Sequence, residues 1–287
     1  MSVYLYGLLV LMGVNILMAL SVYAIIMTDQ VSLGNAGFMA IGAYTSAFLT
    51  VKLAIPLFPA IIVGALVASI IGFLIGIAVF RLEGLYFVMA TFGFGEVVRT
   101  FFLVFEPTGG AYGFRGPYGT TLSLVCAWVV AAIVLFWLLG RSRLGRSFDA
   151  LRDDPQVTRA MGLNVTALNL GAFSIGAFMA GVAGGLYAHY MFYIESGNFH
   201  LLMSAMPILF VILGGMYTLW GPVLGAIIFT ILPELLRFME DWRLSLYGAV
   251  LVAMMILRPS GIVSRQMVRN IEKRIRRIFV KDTSLNA

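Results

Sequence analysis

Long apolar runs separated by short polar interruptions set the pattern of this chain. Nearly unbroken apolar stretches fill residues 3–27, 38–57, 59–80, 85–105, 120–139 and 169–193. Each is predicted to form one membrane-spanning helix, since about 20 apolar residues cross a bilayer. Three shorter apolar pieces follow at 201–213, 223–236 and 244–257. At about 14 residues and 1.5 Å per residue they reach roughly 21 Å, short of a full crossing. The flanking Gly214, Gly215, Gly221 and Pro222 point to broken or tilted helices meeting inside the protein, where irregular backbone is covered. Helices extended by amphipathic flanks fit the same pattern. The fold class is an all-α, polytopic transmembrane helix bundle of about 8–10 spans.

Composition agrees, with 61% apolar and 11% charged residues among 287. The net charge of +6 is concentrated beyond residue 257, where eight Lys or Arg face two Asp or Glu. Between residues 140 and 168 lie Arg141, Arg143, Arg146, Arg152 and Arg159. By the excess of basic residues in cytoplasmic loops, both segments are expected on the cytoplasmic side. Counting crossings from them puts 106–119 and 195–200 outside, 81–84 inside and, with nine crossings, the N-terminus outside. No basic stretch precedes the first apolar run, so a cleaved signal peptide is not expected. Cys126 is the single cysteine, which excludes an internal disulfide and a cysteine metal cluster.

Hydrolytic chemistry would need His-Glu-x-x-His ligands or a Gly-x-Ser-x-Gly elbow, and ATP hydrolysis a phosphate loop ending in Gly-Lys-Ser/Thr. None occurs, and the lysines are Lys52, Lys273 and Lys281, none after Gly. No metal site, no enzyme activity, no cofactor and no nucleic-acid partner are expected of this chain. In the sixth span Ala172, Gly176, Ala180 and Gly184 make a small-residue stripe suited to close helix packing, placing this helix mid-bundle. In the fourth span Glu96 and Arg99 stand one turn apart and can pair. They read as a clamp between helices or as part of an ion or proton pathway. Lys52 is placed to snorkel at a membrane interface.

The segment 141–168 is the most informative polar piece. Asp154 before Pro155 signals a helix start and Gly162 a left-handed end, bracketing a short helix over 155–161. Val157, Ala160 and Met161 share a face of it. Such a knob suits docking in a groove of a partner protein, or lying on lipid headgroups.

Five stretches then carry a resemblance: VSLGNAGFMAIGAY at 31–44, GLYFVMATFGFGEVVR at 84–99, GRSFDALRDDP at 145–155, AMGLNV at 160–165 and LGGMYTLWGPVLG at 213–225. In order and spacing they resemble the LivM-type permease subunits of branched-chain amino acid ABC importers, from about residue 20 to 262. The ending LRPSGI at 257–262 is also similar, and the basic extension beyond it is longer than the family pattern requires.

The resemblance implies a permease domain over 1–262 and a basic cytoplasmic tail over 263–287. It implies a bacterial inner-membrane location and four kinds of partner or cargo: a LivH-type permease, two cytoplasmic ATPase subunits that bind ATP and Mg, a periplasmic solute-binding protein, and a small polar solute. By the same resemblance Arg152, Asp153, Asp154, Pro155, Arg159, Ala160, Met161 and Gly162 belong to the loop with the coupling helix. Gly34, Asn35, Gly37, Thr91, Gly93, Gly95 and Glu96 become candidates for the translocation pathway or the helix breaks around it. The implied mechanism is alternating access, in which closure of the ATPases moves the coupling helices and the permease halves rock. Importers of urea, short amides or other amino acids share this architecture. A stand-alone secondary transporter, for which Glu96 is the candidate carboxylate, and a membrane enzyme or assembly factor are the rival classes. The tail residues 263–280 read either as an amphipathic helix on anionic membrane lipid or as a solvated topogenic segment.

Overall fold

The computed structural model describes residues 3–235, 248–249, 252, 256 and 261–263. Most of the short piece at 244–257 and the tail after Val263 therefore lie outside the described residues. The helices, in order, are α1 (Val3–Ile26), α2 (Asn35–Lys52), α3 (Leu57–Val79), α4 (Leu85–Val104), α5 (Leu122–Arg141), α6 (Arg143–Asp153), α7 (Pro155–Ala160), α8 (Val165–Met191), α9 (Leu201–Gly214) and α10 (Trp220–Leu235). Among the described residues six helices are long and apolar enough to cross a membrane: α1, α3, α4, α5, α8 and a span over Ser196–Gly214 that contains α9. This is a multi-pass helical membrane protein.

Helix α8 is the centre, packed against α1, α2 and α3. Small residues make that possible. A Cβ on Gly184 would fall on the Met39 carbonyl oxygen of α2. One on Gly181 would lie 2.8 Å from the Ala65 Cα of α3, and one on Gly176 2.8 Å from the Ser21 carbonyl of α1. Ala172 and Ala180 are buried in the same seam. Without a hydrophobic drive between helices in lipid, such close backbone approach is what holds spans together. At the periphery α4 and α5 are only 28% and 17% buried over their apolar windows.

The two ends of the helix bundle are distinct. At one, the arginine-rich end, α6 and α7 lie beside the turn 215–219, which Arg152 reaches, and the end of α3 before loop 80–84 packs Gly76 against Leu170 near the start of α8. At the opposite end the hydroxyl of Tyr6 in α1 accepts from the Leu122 amide at the start of α5 at 2.9 Å. There β1 (Phe114–Arg115) pairs antiparallel with β2 (Tyr193–Ile194), a small addition to an otherwise helical fold. The Thr120 hydroxyl donates to the Leu186 carbonyl at 3.0 Å, fixing the 105–121 loop on α8. The start of α1 thus lies opposite the arginine-rich end.

Some boundaries differ from the hydropathy reading, and one helix is added to it. The second apolar run extends to residue 57, but α2 ends at Lys52 because Ala54 adopts a positive φ of 51° and Pro56 follows. Helix α8 starts at Val165 instead of 169, since the Asn164 side chain caps it by accepting from the Ala167 amide at 3.0 Å. Helix α6 has no apolar run to announce it. Its signal is amphipathic, with Gly145, Phe148 and Leu151 turned inward along a charged helix.

Candidate functional site

Two groups of residues singled out by the sequence occupy different places, one exposed at the arginine-rich end and one at membrane depth. The exposed group is built by capping. Ser142 Oγ accepts from the Gly145 amide at 3.1 Å and starts α6, and Gly145 itself sits against the Leu139 carbonyl, where any side chain would collide. Phe148 and Leu151 anchor α6 in the bundle. Asp154 Oδ1 then accepts from the amides of Gln156 at 2.7 Å and Val157 at 3.1 Å, satisfying two first-turn donors of α7. Pro155 occupies the first position, where its missing N–H costs nothing. The buried Thr158 hydroxyl donates to the Asp154 carbonyl at 2.8 Å, closing the turn from inside. Gly162 ends the unit at φ 82°, a left-handed geometry, with open space where a side chain would be.

The result is a short helix fixed at both ends, and it and its flanks present Asp153, Asp154, Pro155, Arg159, Ala160, Met161 and Gly162 outward. Val157 and Met161 are 49% and 73% exposed, an apolar tip flanked by both signs of charge. Arg152 is set apart from them. Its side chain is 7% exposed and points back into the protein, toward the turn between α9 and α10.

At depth, the chain between α1 and α2 forms a covered break. Asn35 Nδ2 donates to Ser21 Oγ at 2.8 Å, and Ser21 Oγ donates to the Gly176 carbonyl of α8 at 2.8 Å. Gly176 lies about 11 residues into α8, roughly 16 Å from its start. Helix α2 therefore begins well inside the bundle. Its orphan donors are satisfied by side chains: the Ala36 amide by Ser204 Oγ of α9 at 2.8 Å, and the preceding Leu33 amide by Thr91 Oγ1 of α4 at 3.1 Å. Asn35 Oδ1 is buried and has no hydrogen-bond partner among the described residues.

The structure divides the pathway candidates. Gly34, Gly37, Thr91 and Gly95 form the α2–α4 seam, with a Cβ on Gly34 falling 2.9 Å from the Thr91 carbonyl and one on Gly37 3.1 Å from the Gly95 Cα. Asn35 is buried beside them. Gly93 and Glu96 lie on the open face of α4. A Cβ on Gly93 would meet nothing within 4 Å. Glu96 accepts from Arg99 Nε at 2.8 Å, both side chains being about a third exposed at 32% and 39%. A groove along this face is lined by Glu96, Thr100, Phe101, Val104 and Phe105. An ion pair is expensive against lipid, so this face of α4 suits water or another protein.

Several polar residues that organise these places escaped the sequence reading. Ser21 and Ser204 sit singly within apolar runs, the signal that could have marked them. The structure gives His189 a packing role: its Nδ1 bonds the Gly185 carbonyl at 2.7 Å and its Nε2 the Thr50 hydroxyl at 2.8 Å, tying α8 to α2.

Residues 4–258 match the family described as branched-chain amino acid transport system, permease component. The chain is 31% identical to the high-affinity branched-chain amino acid transport system permease protein LivM of Salmonella typhimurium and to that of Escherichia coli, in each case over 88% of this chain and 66% of the relative. It thus spans just under two thirds of the length of these relatives. The autoinducer 2 import system permease protein LsrC of Yersinia pestis is 31% identical over 45% of this chain and 40% of its own. No solved structure matches the chain. With a family match over nearly its whole length and a bundle of membrane-crossing helices, the chain belongs to the permease components of branched-chain amino acid transport systems.

Proposed function

We propose that this chain is a permease subunit of an ATP-driven importer for branched-chain or related amino acids in a bacterial inner membrane. In that reading it works beside a LivH-type permease, two cytoplasmic ATPase subunits that bind ATP and Mg, and a periplasmic solute-binding protein. The observation that carries it is α7: a short helix capped at both ends, exposed at the arginine-rich end, with Val157 and Met161 as an apolar tip. A rigid knob of this kind transmits force from a partner because its caps leave it little room to deform. Asp153, Asp154, Pro155, Arg159, Ala160, Met161 and Gly162 make up the contact. The relatives supply the transport class, being branched-chain amino acid permeases by name.

The open face of α4 is assigned to the passage between two permeases. Gly93 leaves it wide and the Glu96–Arg99 pair keeps it polar while remaining neutral overall. A neutral polar wall suits a zwitterion, which carries both charges and no net one. Selection among solutes rests with the binding protein, and uptake competition among labelled leucine, urea and glutamate reads which solute this importer carries.

Affinity purification from the native membrane in mild detergent is expected to recover a second permease and ATPase subunits. Reproducible recovery of the folded chain alone would move the reading to a stand-alone transporter with Glu96 as its first residue to mutate. Coupling is tested at Gly162. Its φ of 82° disfavours a β-branched residue by about 1–2 kcal/mol, whereas Asn tolerates it. Gly162→Val is expected to cut uptake at least tenfold per ATP hydrolysed while the chain stays in the membrane, and Gly162→Asn to retain most uptake. Normal uptake by Gly162→Val would remove the coupling assignment.

A further inference from the structure

Arg152 closes the last turn of α6, next to the exposed loop but turned away from it. Its guanidinium is used on three sides. Nη2 donates to Asp149 Oδ1 on its own helix at 3.2 Å, Nη1 donates to the Met216 carbonyl at 3.3 Å, and the guanidinium carbon lies over the Tyr217 ring, 4.8 Å from its centroid. A planar fork that stacks and donates in two directions is particular to arginine. Nε, also buried, has no hydrogen-bond partner among the described residues. Burying a charge with one donor unsatisfied is a costly way to hold two elements together, and an apolar contact would do so more cheaply.

The far side of this contact is itself stiff. Gly215 has φ 123°, and the turn is backed by backbone bonds from Ile262 N to the Leu213 carbonyl and Val263 N to the Gly214 carbonyl, both 2.9 Å. Gly214 and Gly225 bring α9 and α10 so close that a Cβ on either would strike the other helix's backbone. Helix α10 in turn reaches α1, where Asn15 Nδ2 donates to Thr230 Oγ1 at 2.9 Å. The near side is equally rigid, because α7 is capped onto the end of α6 by Asp154.

We propose that Arg152 is the positioning residue that links the coupling loop to the α9–α10 turn, so that displacement of α7 is delivered sideways to α9 and α10 as well as along the chain to α8. The inference rests on the coupling reading of α7. It assigns Arg152 to force transfer inside the subunit, and not to contact with a partner.

The test uses the whole importer complex in proteoliposomes, with ATP hydrolysis and solute uptake read in the same preparation. The solute is whichever of leucine, urea or glutamate the wild-type complex imports. Arg152→Gln is expected to raise the ATP consumed per solute imported at least tenfold while the ATPase subunits still co-purify. Arg152→Lys, which keeps charge without the fork, is expected to lie between, and Tyr217→Leu to raise the ratio severalfold. Should Arg152→Gln fail to accumulate, the Arg152→Lys and Tyr217→Leu ratios decide. Parallel loss of hydrolysis and uptake with an unchanged ratio in these variants would reduce Arg152 to a structural clamp and overturn the proposal. The coupling reading is judged separately by Met161→Glu on the α7 tip. Retained ATPase binding and normal uptake there would remove that reading, whereas uncoupling by Met161→Glu with an unchanged ratio in the Arg152 variants would sink the force-transfer proposal alone.

Discussion

Helices α5 and α8 are both long and apolar enough to cross a membrane, yet 17% of one apolar window and 56% of the other is buried. What separates them is side-chain size. Helix α8 carries Gly or Ala at 172, 176, 180, 181, 184 and 185, and of these Gly176, Gly181 and Gly184 meet the backbones of α1, α3 and α2. Helix α5 places bulky residues outward, with Val130, Trp137 and Leu138 about half exposed. In a bilayer apolarity says only that a helix crosses, since lipid is as apolar as leucine. Where it sits in the bundle is decided by how closely a neighbour's backbone can come.

The comparison is broken most severely by Gly184→Leu, which would drive a side chain into the Met39 carbonyl. Overpacking typically costs about 1–3 kcal/mol, and collision with backbone lies beyond that range. The expected outcome is loss of monodisperse protein on size-exclusion chromatography in detergent. A normal elution profile and melting temperature would show that α8 is not the packing centre. A smaller, functional effect is expected on α4, which is peripheral like α5 but carries Glu96 and Arg99. Replacing both by leucine should leave the melting temperature within a few degrees and lower uptake about tenfold, equivalent to roughly 1.4 kcal/mol. Unchanged uptake would mean that this face of α4 meets lipid, as α5 does. The smallest effect belongs to Leu138→Ala on α5, 54% exposed, where a change below about 0.5 kcal/mol in thermal unfolding is expected.

Much of this architecture is legible in the order of the residues. Apolar runs locate α1, α3, α4, α5 and α8 to within a few positions because a membrane span is a bulk property of about 20 residues. The caps of α7 are legible for the opposite reason: Asp154-Pro155 and Gly162 act through bonds and dihedrals within one turn. The break before α2 is legible only as an interruption. Its partners, Ser21, Thr91 and Ser204, come from three different helices, and no local pattern announces contacts between residues as far apart as Ala36 and Ser204. Arg152 is hidden in the same way. Within GRSFDALRDDP it is one more arginine of a basic loop, and its inward turn depends on a carbonyl and a ring at 216 and 217.

The placement of α2 bears on the order in which the chain is assembled in the membrane. Helix α2 is not among the six helices apolar enough to cross by composition, and it packs chiefly on α3 and α8. Its first turn is further held by a hydroxyl from α9, so the groups that complete its surroundings are synthesised more than a hundred residues after it. Until α8 and α9 emerge from the ribosome, α2 has mainly α3 and α4 to pack against, and its larger seam is missing. The central packing of the bundle therefore closes only when the second half of the chain arrives.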